Sequence, residues 1–201
     1  MTEIRLPRRR LLALGGAAIA GGLAGPAFAQ DFTGAIEREG DVATQPSVRR
    51  NTQSFRAIRW EDHFDNRRHG CILCDVASRA LHFWSEDGET YLVHPTSVPM
   101  SEEFTRRGRT EITLMRRNPT WIPTPSMRER DPSLPERVEP GPDNPMGTRA
   151  MNLTWTHYRI HGIDNPAKVG RMASNGCFGL FNHHVEDLFE RCRVGTQVVV
   201  I

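Results

Sequence analysis

The chain has 201 residues, 38% of them apolar and 25% charged, which is enough for one domain of ordinary size with its own core and a tail. No apolar run approaches the roughly 18 residues that a spanning helix needs, which excludes a stable membrane span. The net charge of +2 is unevenly spread: residues 1–29 carry +3, leaving 22 basic and 23 acidic residues in the remainder. A near-neutral body offers no electrostatic case for nucleic acid.

The first 29 residues are predicted to be a secretory signal peptide. Arg8-Arg9-Arg10 precedes a short apolar stretch from Leu11 to Leu23, and Ala27-Phe28-Ala29 supplies the small residues of a cleavage site. Five glycines between Gly15 and Gly25 argue against a buried helix there. The arginine pair ahead of a mild, Gly-rich core resembles a twin-arginine signal, although Pro7 stands where Ser or Thr is usual. Either route predicts a mature protein beginning at Gln30 and working in the periplasm.

Residues 30–69 read as a polar leader or tether, and 70–201 as the domain. Ile72–Val76 and Ala80–Trp84 have strand character, Glu86–Glu89 is a hairpin turn, and Thr90–His94 is the return strand. Glu111–Arg116 predicts another short strand. Eight of the 14 prolines then fall between Pro119 and Pro145, an irregular excursion of the kind that usually forms a lid or binding loop. Met151–His161 alternates as one long strand, which would put His157, Arg159 and His161 on a shared face. Val185, Leu188, Phe189 and Cys192 fall at helical spacing, with Asn182 as the expected N-cap. Gly195-Thr196 turns the chain into a last strand, Gln197–Ile201. The count is mainly β with one good helix.

Four cysteines in an exported chain could form two disulfides. His69-Gly70-Cys71 with Cys74 could be half a zinc site or a redox pair, but no second ligand pair completes a cage and no βαβ context surrounds it. Core residues or one structural bridge remain the plainer readings of Cys71 and Cys74, and Cys192 sits on the apolar helix stripe. No metal or cofactor is called for. Trp84, Trp121 and Trp155 read as core or cleft-wall residues, His183 and His184 as exposed, and Asp164-Asn165 as a turn.

Cys177 differs from the other three. Ser174-Asn175-Gly176-Cys177 puts it after a glycine turn, 16 residues beyond a strand-end histidine in Ile160-His161-Gly162. A thiol attacks only as thiolate, so it needs a lowered pKa or an adjacent base, which such a histidine could supply. A tight turn also exposes backbone N–H groups able to bind an oxyanion.

These residues resemble the signature of the YkuD-type L,D-transpeptidases: a histidine in an I-H-G run, then about 14–17 residues to S/T-H-G-C. Further resemblances follow in the family's order. They are Pro119-Thr120-Trp121-Ile122-Pro123-Thr124-Pro125, Asn144-Pro145-Met146-Gly147, and Val194-Gly195-Thr196-Gln197-Val198, so the likeness covers about residues 70–201. It implies a β-sandwich of mixed sheets with the Cys loop and His strand meeting in a cleft.

The resemblance also implies roles. Cys177 would be the nucleophile and His161 its base. The N–H groups of Asn175, Gly176 and Cys177 would form the oxyanion hole, Ser174 would shape the loop, and the Gly162 carbonyl would orient the histidine. Cys177 would attack the carbonyl joining the L-centre of the third stem residue to D-Ala, expel D-Ala, and pass the thioester to an amine of a neighbouring peptidoglycan stem. β-Lactams of the carbapenem class would be inhibitors. Two departures from the pattern stand out: Asn175 replaces the common histidine, and Gly179 replaces the arginine thought to meet a substrate carboxylate. Arg171, Arg159 and Trp121 are the candidate substrate contacts in its place, with His157 a candidate support for His161. The rivals are a hydrolase that gives the thioester to water and a non-catalytic peptidoglycan-binding module.

Overall fold

The computed structural model describes residues 58–201; the predicted signal peptide and most of the leader lie outside them. Among the described residues ten strands form in chain order: β1 Cys71–Asp75, β2 Ala80–Trp84, β3 Tyr91–Pro95, β4 Val98–Pro99, β5 Gly108–Arg117, β6 Arg149–Leu153, β7 Arg159–His161, β8 Met172–Ser174, β9 Phe178–Gly179 and β10 Gln197–Val200. Two helices join them, α1 Pro125–Arg130 and α2 Asn182–Arg191. Eight strands make one curled mixed sheet in the order β3-β2-β1-β10-β5-β6-β7-β9, and β4 pairs with β8 alone. The β1–β10 and β7–β9 pairs are parallel.

The curl originates in β5, which is longer than the strand predicted from Glu111 to Arg116. Its first half, Gly108–Glu111, pairs with β10, and from Ile112 onward it pairs with β6, with a register shift between Ile112 and Leu114. A strand shared in this way turns the sheet so that both halves face one core. Ile72, Phe83 and Val198 from one half therefore meet Met151, Ile160 and Phe178 from the other, under Val185, Leu188 and Phe189 of α2.

Strand β1 is buried on both faces because each face has its own cover. Ile72 and Cys74 point into the main core, whereas Cys71 and Leu73 face a second cluster with Trp84, Val199 and Phe64. Ile58 and Trp60 pack against that second cluster, so the packed fold takes in residues that the sequence assigns to the leader. Cys71 and Cys74 lie three residues apart on one strand and so point to opposite faces, which rules out a bridge between them. All four cysteines are free. Burial pushes the Cys71 thiol up to about 11 and that of Cys192 to about 12, as suits small apolar packing residues.

Two further expectations are corrected. Met151–His161 is a hairpin, β6 turning back through Trp155–Tyr158 into β7. The turn puts His157 in the left-handed region at φ 69°, so it is exposed and shares no strand face with His161. Asn182 does not cap α2, whose N-cap is Phe181 with no side-chain hydrogen bond. Its amide instead accepts from the N–H groups of Thr148 and Ile163 and donates to the Ile163 carbonyl. That explains the glycines nearby: a Cβ on Gly147 or Gly162 would stand 2.1 or 2.2 Å from the Asn182 Oδ1.

The Pro-rich excursion is ordered by one buried side chain. Asn144 donates to the carbonyls of Pro119, Val138 and Glu139 and accepts from Met146 N–H, so one side chain ties together four backbone groups of the excursion. Within it α1 begins at Thr124, whose hydroxyl accepts from Met127 N–H, with Pro125 at the first helical position.

Candidate active site

A cavity of about 650 Å³ lies where β7, the loop after β8 and the Pro-rich excursion converge. His161 and Cys177 both line it, with Ser174 and Asn175 of the cysteine loop, Arg159 of β7, and Trp121 of the excursion. The parallel β7–β9 register accounts for this, since Ile160 lies opposite Phe178 and His161 opposite Gly179. His161 on β7 and Cys177, one residue before β9, are thus brought together although 16 residues apart in sequence.

His161 is partly buried, and its Nδ1 hydrogen-bonds to the Gly162 carbonyl. A carbonyl only accepts, so Nδ1 carries the proton and Nε2 keeps a free lone pair. Burial lowers the pKa of the ring to about 4 against the opposing pull of that hydrogen bond, and the nearby Arg159 and Lys168 add to the lowering. The ring is therefore neutral across the physiological range. Asn182 fixes the loop that supplies this carbonyl, a positioning role that sequence periodicity disguised as helix capping.

The Cys177 thiol is half-buried and donates to the His157 carbonyl at 3.3 Å rather than to His161. Burial pushes its pKa up, and Arg159 pulls it back through charge and hydrogen bonding. The resting pair is a neutral thiol and a neutral imidazole. The loop around the thiol is tightly specified. Ser174 Oγ donates to the Cys177 carbonyl at 2.6 Å and accepts from Gly176 N–H at 3.3 Å. Gly176 has φ 121°, and a Cβ there would lie 3.1 Å from the Tyr158 ring. Among the described residues, no turn or loop hydrogen bond uses the N–H groups of Asn175 or Cys177.

Of the other sequence candidates, Arg159 and Trp121 face the cavity, but Arg171 does not; it is exposed, and its carbonyl pairs with Val98 N–H in the β4–β8 region. Trp84 and Trp155 are core residues. His183 is exposed, whereas His184 is half-buried and stacks on His94 at 4.3 Å. Gly179 is buried, with a virtual Cβ 2.6 Å from Ser97 Oγ and 3.0 Å from Ile163, so this backbone has no room for an arginine there.

Sequence reasoning missed Arg130. It donates to the Asn175 side-chain carbonyl at 2.7 Å and lies over the Phe104 ring, tying α1 to the cysteine loop. The Thr124-Pro125 start signal was present in the sequence, and only the density of prolines around it hid the helix. Lys168 lines the cavity too, 3.5 Å from Asp164.

The fold is thus a mainly β, curled mixed sheet that brings a loop cysteine and a carbonyl-held histidine to one cavity. The chain belongs to the YkuD family: the model of the L,D-transpeptidase catalytic domain matches residues 69–200. It is 44% identical over 197 residues to a putative L,D-transpeptidase in the ATP synthase subunits region of Fuscovulum blasticum, covering 98% of each chain. Among solved structures, an L,D-transpeptidase from Mycobacterium smegmatis aligns with a TM-score of 0.52 at 20% identity, over 66% of this chain and 58% of that one. L,D-transpeptidase 3 from Mycobacterium tuberculosis, solved with a faropenem-derived adduct, aligns with a TM-score of 0.50 at 18% identity, over 66% and 60%. This chain thus spans under two thirds of each solved neighbour, and at these identities the likeness is one of fold.

Proposed function

We propose that this chain is a periplasmic peptidoglycan L,D-transpeptidase that uses Cys177 as its nucleophile. The observation that carries the reading is that His161, neutral and with Nε2 free, lines the same cavity as Cys177. His161 takes the thiol proton as sulfur attacks the stem-peptide carbonyl on the L-centre side of D-Ala. The N–H groups of Asn175 and Cys177 receive the oxyanion, that of Gly176 being bonded to Ser174 Oγ. His161 then returns the proton to the D-Ala amine, which leaves a thioester. An amine from a neighbouring stem attacks the thioester, losing its proton to His161, and sulfur departs with the cross-link made.

Trp121 and the cations Arg130, Arg159 and Lys168 give the cavity an aromatic wall and positive charge suited to an anionic stem peptide. The Pro119–Pro145 excursion restricts water around the thioester. The signal-like residues 1–29 deliver the enzyme to its substrate, with Gln30 as the mature N-terminus.

The test is intact-protein mass spectrometry with a carbapenem. A single covalent adduct on the wild type, absent from Cys177→Ala, is expected, and an unchanged adduct in Cys177→Ala refutes the assignment. Products from a tetrapeptide muropeptide then separate cross-linking from hydrolysis. Free tripeptide alone would identify the hydrolase, and no turnover or adduct would identify a binding module.

A further inference from the structure

We infer that Arg159 is a further catalytic residue, the counter-ion of the Cys177 thiolate, held at the sulfur by the β6–β7 turn and the β7–β9 register. The inference deepens the reading above and rests on Cys177 being the nucleophile. Its first support is convergence on one atom. The His157 carbonyl accepts the Cys177 thiol at 3.3 Å and Nη1 of Arg159 at 3.4 Å, which brings sulfur and guanidinium together.

The second support is that this carbonyl is aimed by unusual backbone. His157 holds φ 69° in the hairpin turn, a left-handed conformation uncommon outside glycine. The third is register. Ile160 pairs with Phe178 in a parallel ladder, so Arg159 on β7 and Cys177, the loop residue just before β9, each stand one residue before that pair. Both the main-chain N–H and the side chain of Arg159 act on the sulfur, and they work against the effect of its burial.

The chemistry needs such a group. In the resting thiol the S–H bond points at a carbonyl oxygen. Once the proton has gone to Nε2 of His161, the sulfur can no longer donate, and the His157 oxygen repels it. A guanidinium already bonded to that oxygen neutralises it and offers further N–H donors to the anion. The S–H bond breaks as an N–H bond forms on His161. The sulfur lone pair then makes the S–C bond, and the proton passes from His161 to the departing amine.

The other ionisable groups around the cavity are less well placed for this role. Arg130 is turned to Asn175, with Asp131 beside it in sequence, and Lys168 is paired with Asp164. Tyr158 donates its hydroxyl to the Phe104 carbonyl.

The experiment measures the pH dependence of iodoacetamide alkylation at Cys177 in the full chain, by peptide mass spectrometry, for wild type, Arg159→Met and Arg159→Lys. Removing the charge should move the alkylation midpoint up by about one pH unit or more, with Arg159→Lys in between. A midpoint unchanged in Arg159→Met overturns the inference. Should that variant fail to fold, Arg159→Gln is read by the same criterion. Alkylation needs no substrate, so the two readings fail separately. A Cys177 that no carbapenem acylates defeats the proposed nucleophile whatever the midpoint does. A Cys177 that is acylated but has an unmoved midpoint defeats only the role of Arg159.

Discussion

Cys177 and His161 line one cavity, yet each is hydrogen-bonded to a different backbone carbonyl, the thiol to His157 and the imidazole to Gly162. The resting site is therefore a neutral pair, because burial raises the thiol and lowers the imidazole, and in the proposed mechanism proton transfer accompanies attack. Acylation by a carbapenem should hold its rate down to about pH 5 and fall below it, as His161 is protonated near pH 4. His161→Gln should slow acylation by ~10²–10⁴-fold and lose that acid limb. Stopped-flow acylation rates across pH check both, and a limb centred near 6.5 would mean that the ring is not desolvated.

The same lowering has a consequence for stability. Buried His82 and His94 are also shifted down, chiefly by burial. The unfolded chain, with its histidines near 6.5, binds more protons than the folded one wherever the pH lies between the two values. Stability should thus be complete above about pH 6.5 and decline towards pH 4, where His161 itself titrates. Thermal unfolding followed between pH 8 and 4 reads this. His94→Gln, outside the cavity, should flatten the decline, and a parallel decline in that variant would remove His94 from the account.

Gly179 allows a test of packing against function. From the sequence, replacing it by arginine would restore a missing substrate contact. In the fold its N–H donates to Ser97 Oγ at 3.0 Å, and a Cβ would come within 2.6 Å of that oxygen. Gly179→Ala should cost about 1–3 kcal/mol by overpacking, and Gly179→Ala with Ser97→Gly should recover part of it. Urea unfolding measures both. A fully stable Gly179→Arg would show that the strand shifts to admit the side chain.

What the sequence revealed and what it hid divide along physical lines. Ile72–Val76 and Ala80–Trp84 were legible as short apolar runs, buried on both faces, and the Val185-Leu188-Phe189 stripe because one-sided burial imposes the helical period. His161 and Cys177 were singled out by runs that resemble a family signature, and the fold brings both to one cavity. The β6–β7 turn was not, since Thr154, Thr156 and His157 carry no glycine or proline and keep the alternation of a strand. Asn182 misled for a related reason. A side chain suited to capping serves equally well to bond Ile163 across the molecule, and only the tertiary fold decides which. Arg130 could not be placed at all, because its partner lies 45 residues away.

That contact supports the last prediction. Arg130 Nη2 meets the Asn175 side-chain carbonyl at 2.7 Å, joining α1 of the excursion to the loop that carries Cys177. Its guanidinium also lies 5.1 Å from the centre of the Phe104 ring, so two attachments hold the roof of the cavity. The residue is exposed and the pair is open to solvent, so its loss should cost stability little, within about 0.5 kcal/mol. Its effect should appear in the fate of the thioester. With the roof released, water reaches the acyl-enzyme more freely, while the acceptor stem gains nothing. Arg130→Ala should therefore raise the hydrolysed fraction of products several-fold relative to cross-linked dimer, with the first acylation step nearly unchanged. Asn175→Ala, which removes the other half of the contact but keeps its backbone N–H, should shift the ratio the same way. Mass spectrometry of products from a tetrapeptide donor with and without an amine acceptor gives the ratio directly. Equal ratios in wild type and Arg130→Ala would show that the excursion does not govern water at the thioester.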